Sequence, residues 1–180
     1  MINLPNRKKL RYKGFDYSSY ATYFITICTD KRRFIFGDVV DGVMQLSSFG
    51  QIVDIEFKNF HTFHDNTQIV NYVIMPNHVH ILLSLISNDL EYLAKEEAPQ
   101  LNNNSIPKII QRFKAGITRT INAENNYTPK KIIWQKSYHD RIIRNEKEFE
   151  IFHNYIDINP TKWSEDCHNP TNIDYKKWEP

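Results

Sequence analysis

The residues best suited to chemistry are His78 and His80, with Val79 between them. On a strand, residues i and i+2 face the same way, so both imidazoles project together while Val79 turns to the other side. Two neighbouring imidazoles suit a divalent cation. The pair follows the turn signal Pro76-Asn77, which puts it near a strand end with good access. The plainer alternative is two histidines on a polar sheet face, or one of them buried and hydrogen-bonded; a bare His-x-His is more often that. A third ligand changes the balance. Tyr155 and Asn159 stand four residues apart, just ahead of Pro160, so on a helix they share a face. They border an apolar stripe of Phe149, Phe152 and Ile156. If that border faces the histidines, Asn159 offers a carbonyl oxygen to the metal and Tyr155 a hydroxyl next to it. Tyr155 can also be read as a core-edge aromatic whose hydroxyl reaches water, and Asn159 as a helix-ending residue before proline. Spacing alone leaves those plainer readings ahead.

The elements that must position these residues can be read from periodicity. Tyr23–Thr29 is rich in β-branched and aromatic residues and predicts a strand. Asp41-Gly42 predicts a hairpin between short strands around Val39 and Val43–Leu46. Ser48 with Gln51 resembles a capping box, opening a helix from about Phe49 to Phe60. Ile69–Met75 and His78–Ile86 predict two more strands, and the polar stretch Ser87–Asn104 a flexible loop. Ser105–Asn122 is the clearest helix, with Ile106, Ile109, Ile110, Phe113, Ile117 and Ile121 on one stripe. At ~100° per residue, Lys108, Arg112 and Arg119 fall on its opposite side. Lys130–Trp134 predicts a short strand, and Asn145 with Glu148 caps a last helix that Asn159-Pro160 ends near Ile158. This order favours one α+β domain over residues 1–180, an antiparallel sheet with helices packed on one face. A basic arm (about 1–20) precedes it, and a tail without clear period (about 161–180) follows.

Composition allows a folded core, and bulk charge does not announce a nucleic-acid binder. The 180 residues are 41% hydrophobic, enough for a core, and 13% aromatic. Net charge is only +2, but Arg7, Lys8, Lys9, Arg11 and Lys13 lie in an arm free of acids. Such an arm attracts phosphates, or is simply solvated. Cys28 and Cys167 make no disulfide framework. With neither an apolar leader nor a stretch of membrane-spanning length, the expected location is the cytoplasm, with no membrane partner. No glycine-rich phosphate loop is present among five glycines.

Taken in order, the motifs resemble a known family. Met75-Pro-Asn-His-Val-His80 resembles the HUH motif of the single-tyrosine HUH transposases. Arg11–Tyr17 followed by Tyr23–Thr26 is similar to the family's opening strand. Trp134–Asn145 is similar to the stretch before its last helix, and Tyr155-Ile-Asp-Ile-Asn-Pro160 to the helix carrying its nucleophile. The combination, spanning roughly Arg11 to Trp163, most resembles the REP-associated tyrosine transposases. The resemblance implies a ferredoxin-like sheet, His78, His80 and Asn159 as ligands of Mg²⁺ or Mn²⁺, and Tyr155 as nucleophile. Tyr138, in another motif-like segment, is the rival nucleophile, ranked second because it lacks a partner four residues on. Family relatives often place glutamine where Asn159 stands.

The activity so implied is cleavage and rejoining of single-stranded or hairpin DNA, as in a palindromic repeat, through a 5′-phosphotyrosine. The protein would be prokaryotic, act at the nucleoid, and work as a monomer or homodimer. Arg7, Lys8, Lys9, Arg11, Lys108, Arg112, Arg119, Arg141 and Arg144 are the candidate DNA contacts, against the alternative of ordinary solvated charge. Two other functions compete. A non-catalytic nucleic-acid-binding module gives His78, His80 and Tyr155 no role beyond packing. A metal-dependent nuclease activates water and tolerates loss of the Tyr155 hydroxyl.

Overall fold

The computed structural model describes residues 21–60, 67–86 and 105–171. Its elements are β1 (Thr22–Cys28), β2 (Gly37–Val40), β3 (Val43–Leu46), α1 (Ser48–Lys58), β4 (Thr67–Met75), β5 (His78–Leu85), α2 (Ile106–Glu124), β6 (His139–Ile142) and α3 (Glu146–Ile158), then a 3-10 helix, Pro160–Glu165. The arm at 1–20, the loop expected over 87–104 and the end of the tail lie outside the described residues.

The main sheet runs β4-β5-β1-β6 and every pairing is antiparallel. With α1 between β1 and β4, and α2 between β5 and β6, this is the β-α-β-β-α-β plan of a ferredoxin-like fold. A hairpin, β2-β3, is inserted after β1. Its turn residues Asp41 and Gly42 have φ of 51° and 76°, the positive values a type I′ turn needs.

Alternation divides the sheet into two faces. Tyr23, Ile25 and Ile27 of β1 and Val79, Ile81 and Leu83 of β5 point into a core shared with α1 and α2. Phe57, Phe60 and Phe113 pack together there, as do Phe36 and Trp134. Phe24, His80 and Leu82 point the other way, and α3 covers them, with Phe152 stacked on Phe24 at 4.5 Å. The antiparallel sheet with helices is therefore as expected, with one change. Only α1 and α2 share a face; α3 lies across the reverse face, because the aromatic stripe of α3 finds an unburied aromatic patch there.

Three local expectations are corrected. The strand expected over Lys130–Trp134 is an extended segment with a single β-bridge, Thr29 to Trp134, further tied down where Lys131 N donates to Asn122 Oδ1 and Lys131 O accepts from Asn122 Nδ2. The fourth strand of the sheet is His139–Ile142, four residues on β1's outer edge, whose polar sequence hides it. The cap of α1 is Ser47, whose hydroxyl accepts from Gly50 N at 3.1 Å, rather than its neighbour Ser48. Asn145 does cap α3, accepting from Glu148 N at 2.9 Å. Glu148 answers one residue earlier than a regular capping box, accepting from Arg144 N at 3.0 Å.

Candidate metal and nucleophile site

The two histidines are held before any ligand arrives. The Pro76-Asn77 turn between β4 and β5 is locked by its carbonyls: Pro76 O accepts from Ile35 N and Phe36 N, and Asn77 O from Thr29 N. Asn77 Nδ2 donates to the carbonyl of His168 at 2.8 Å, which sets the amide so that Oδ1 faces His78 Nδ1, also at 2.8 Å. His78 Nδ1 must then carry its proton, leaving the Nε2 lone pair for another partner. Thr26, opposite His80 in the β1–β5 register, contacts His80 Nδ1 at 2.8 Å. The two Nε2 atoms converge at 3.1 Å. His78 and His80 are 0% and 2% exposed. Burial, and secondarily the neighbouring imidazoles, pull both well below the usual histidine pKa, so they stand neutral and ready to ligate.

Helix α3 brings the other half. Phe152 on Phe24, and Arg141 over the Phe152 ring at 5.2 Å, fix its rotation. Tyr155 then packs edge-on against His80 and Phe24, with its hydroxyl 3.5 Å from His80 Nε2. Burial, reinforced by Asp166, raises the Tyr155 pKa, so the phenol is protonated at rest. One turn on, Asn159 is 1% exposed, and its Oδ1 has no hydrogen-bond partner among the described residues. An orphaned buried carbonyl oxygen is costly and asks for a ligand. All four residues lie together within this one chain.

Two further groups stand here that the sequence analysis missed. After Pro160 the chain doubles back through the 3-10 helix, and Asp166 and His168 return to the histidines. Asp166 Oδ1 accepts from His168 N at 2.6 Å, while Oδ2 lies 3.4 Å from Asn159 Nδ2, 3.5 Å from the Tyr155 hydroxyl and 4.0 Å from His78 Nε2. The His168 ring packs 4.5 Å from that of His78, and burial pushes its pKa down to about 4 against the opposing pull of Asp166. His78, His80 and His168 form a group able to hold a metal. The available signal was a run of ligand-type residues, Asp166-Cys-His-Asn169, in a tail with no period.

The donor set fits a divalent cation: two neutral imidazoles with their second nitrogens tied, an orphaned amide oxygen and a carboxylate. Tyr138 is elsewhere. It packs against the α2-side core and lines a groove with Lys114 and Trp134, so the rival nucleophile does not reach the histidines.

The candidate DNA contacts are scattered. Arg141 and Arg144 lie on the α3 side, Arg141 paired with Glu148 at 2.9 Å. Lys108, Arg112 and Arg119 are exposed on α2, across the sheet from the histidines. Arg7, Lys8, Lys9 and Arg11 lie outside the described residues. A groove of about 790 Å³ beside α2, unforeseen from the sequence, is lined by Lys114, Arg119, Lys130, Lys131 and Lys136 with no carboxylate. Among the described residues no helix is long and apolar enough to cross a membrane.

No protein-family model matches the chain. An uncharacterised protein of Haemophilus influenzae is 32% identical over 170 residues, covering 91% of this chain and 93% of that one. Among solved structures, a REP-associated tyrosine transposase bound to a REP hairpin superposes with a TM-score of 0.58 at 19% identity, over 85% of this chain and 73% of that one. The likeness read from the motifs thus extends to the fold. The chain belongs to one family with the Haemophilus influenzae protein and has the fold of a REP-associated tyrosine transposase.

Proposed function

We propose that the chain is a metal-dependent DNA strand transferase that cleaves and rejoins single-stranded or hairpin DNA through a covalent bond to Tyr155. The observation that carries this reading is the convergence of the His78 and His80 Nε2 atoms, 3.1 Å apart, beside the Tyr155 hydroxyl and the orphaned Asn159 Oδ1. His78, His80 and Asn159 would hold Mg²⁺ or Mn²⁺. When bound, such a cation supplies Lewis-acid charge against phosphate oxygens.

The rest is done by the chain. Phe24 and His80 pack against the phenol ring and hold it in place, so little orientational freedom is lost on reaction. The Tyr155 oxygen attacks the phosphorus, and the bond to the 3′ oxygen breaks. The product is a 5′-phosphotyrosine and a free 3′-hydroxyl, with the phenolic proton replaced, through solvent, on the leaving oxygen. Because Tyr155 is protonated at rest, its proton must leave as the attack proceeds. The phosphodiester energy is retained, so a second 3′-hydroxyl can reverse the step on a new strand without ATP.

A hydroxyl recessed between helix and sheet favours a flexible single strand over a regular duplex. The fold neighbour's REP hairpin supports a hairpin substrate. Arg141 and Arg144 stand on the correct side to position phosphates, and Lys108, Arg112, Arg119 and the arm residues Arg7, Lys8, Lys9 and Arg11 would add contacts farther off. The gathering of these residues within one chain is compatible with a monomer, and a homodimer is the alternative.

The test is incubation with 3′-end-labelled hairpin DNA and Mn²⁺, followed by a denaturing protein gel, the label riding on the fragment that stays bonded to Tyr155. A labelled adduct is expected from the wild type and from Tyr138→Phe, and none from Tyr155→Phe, His78→Ala or chelated protein. Cleavage without an adduct would make the protein a nuclease. Binding without cleavage, alike in every variant, would leave a DNA-binding module.

A further inference from the structure

Asn159 uses its amide nitrogen toward Asp166 and leaves its oxygen unmatched, so the cleft between α3 and β5 is short of positive charge on the oxygen side. Into that cleft the returning chain inserts a carboxylate whose side chain is 2% exposed. The carboxylate is aimed. The backbone N–H of His168 holds Oδ1 at 2.6 Å, and Asn169 N donates to the Asp166 carbonyl at 3.0 Å, which turns Oδ2 toward His78, Asn159 and Tyr155. The distances Oδ2 makes there, 3.4 to 4.0 Å, are long for hydrogen bonds yet centred on one small volume.

We infer that Asp166 is a fourth protein ligand of the cation, contributing the only carboxylate to a set of His78, His80 and Asn159. The inference rests on the proposed metal site and deepens it. In an octahedral shell with bonds of about 2.1 Å, ligand atoms lie about 3.0 Å apart when adjacent and about 4.2 Å when opposite. The Nε2 pair, at 3.1 Å, has the adjacent spacing, and His78 Nε2 to Asp166 Oδ2, at 4.0 Å, falls within the same span. The chemistry is also discriminating. Two imidazoles and a neutral amide oxygen suit several transition metals, whereas adding a carboxylate shifts the set toward hard cations such as Mn²⁺ and Mg²⁺. His168 is the competing ligand, since its imidazole is in reach. Its backbone aims Asp166, and its Nδ1 faces Cys28 Sγ at 3.8 Å, so it is assigned a positioning role.

The test is Mn²⁺ binding to the DNA-free protein, followed by the loss of the free-ion electron paramagnetic resonance signal. Wild type, His78→Ala, Asp166→Asn and His168→Gln are compared, each first shown by melting in chelator to be folded. Asp166→Asn should weaken binding by at least about tenfold, the loss found even for outer-shell partners, and His168→Gln by less. Wild-type protein carrying carboxyl-¹³C aspartate should show a ¹³C coupling to bound Mn²⁺ by pulsed electron–nuclear double resonance, a readout that survives if the variant fails to fold. Binding that depends on His78 but is unchanged in Asp166→Asn, or an absent ¹³C coupling, overturns the inference and leaves the metal site standing. Wild type that binds no Mn²⁺, or binds it equally without His78, overturns both.

Discussion

Acid should unfold this protein through its cluster of buried histidines. His78, His80 and His168 are each held neutral in the fold, chiefly by burial. Unfolded, each recovers a pKa of about 6.5 and takes up a proton below it, so the unfolded state binds more protons and stability falls as pH drops through that value. Between pH 7.5 and 5.5 a histidine that stays neutral in the fold forfeits about 1.3 kcal/mol, and three forfeit about 4 kcal/mol. A domain of this size has only about 5–15 kcal/mol in total. Urea unfolding in chelator at the two pH values measures the difference, and His168→Gln should shrink it by about a third. A wild-type difference below about 1 kcal/mol would refute the reasoning, because it would mean that the histidines protonate without leaving the fold. Saturating Mn²⁺ should raise stability at both pH values and leave the difference between them nearly unchanged, because the folded histidines are already neutral and release no proton on ligation.

Other consequences are more local. Thr26→Val leaves the buried His80 Nδ1 without its partner and should weaken Mn²⁺ binding about tenfold or more, measured by titration, and cost about 1–3 kcal/mol in denaturant unfolding. Asn145→Ala strips the cap of α3 and should cost about 1 kcal/mol in denaturant unfolding. Gly50→Ala would put a Cβ 2.1 Å from the carbonyl oxygen of Phe36, and should destabilise by about 2 kcal/mol or more by the same measurement.

The sequence displayed those parts of the molecule whose cause is local. His78-Val79-His80 declared its strand because Val79 belongs in the core and the imidazoles do not. Tyr155 and Asn159 declared their common face because Asn159-Pro160 ends the helix at a fixed place. β6 was hidden because an edge strand of His139-Asp-Arg-Ile142 needs only one apolar side chain to dock, and two adjacent serines disguised the true cap of α1. The side of the sheet that α3 chooses depends on a patch formed by Phe24, His80 and Leu82 from two other strands, which no window of sequence contains. Asp166 and His168 were illegible for a related reason. They matter only once the chain has reversed after Pro160, and reversal is a property of the packed tail.

The hairpin, a detail of the fold until now, stands against that returning tail. Its tip at Gly42 lies so close to Thr161 that a Cβ there would meet the threonine methyl at 3.4 Å. Thr161 is the second residue of the 3-10 helix Pro160–Glu165, which Asp166 caps. The hairpin thus works as an external prop, bracing the segment that delivers a carboxylate to the histidines. Lengthening the turn at Asp41-Gly42, or gripping it from outside, would be felt at the proposed metal site across a few residues of chain, although no hairpin side chain belongs to it.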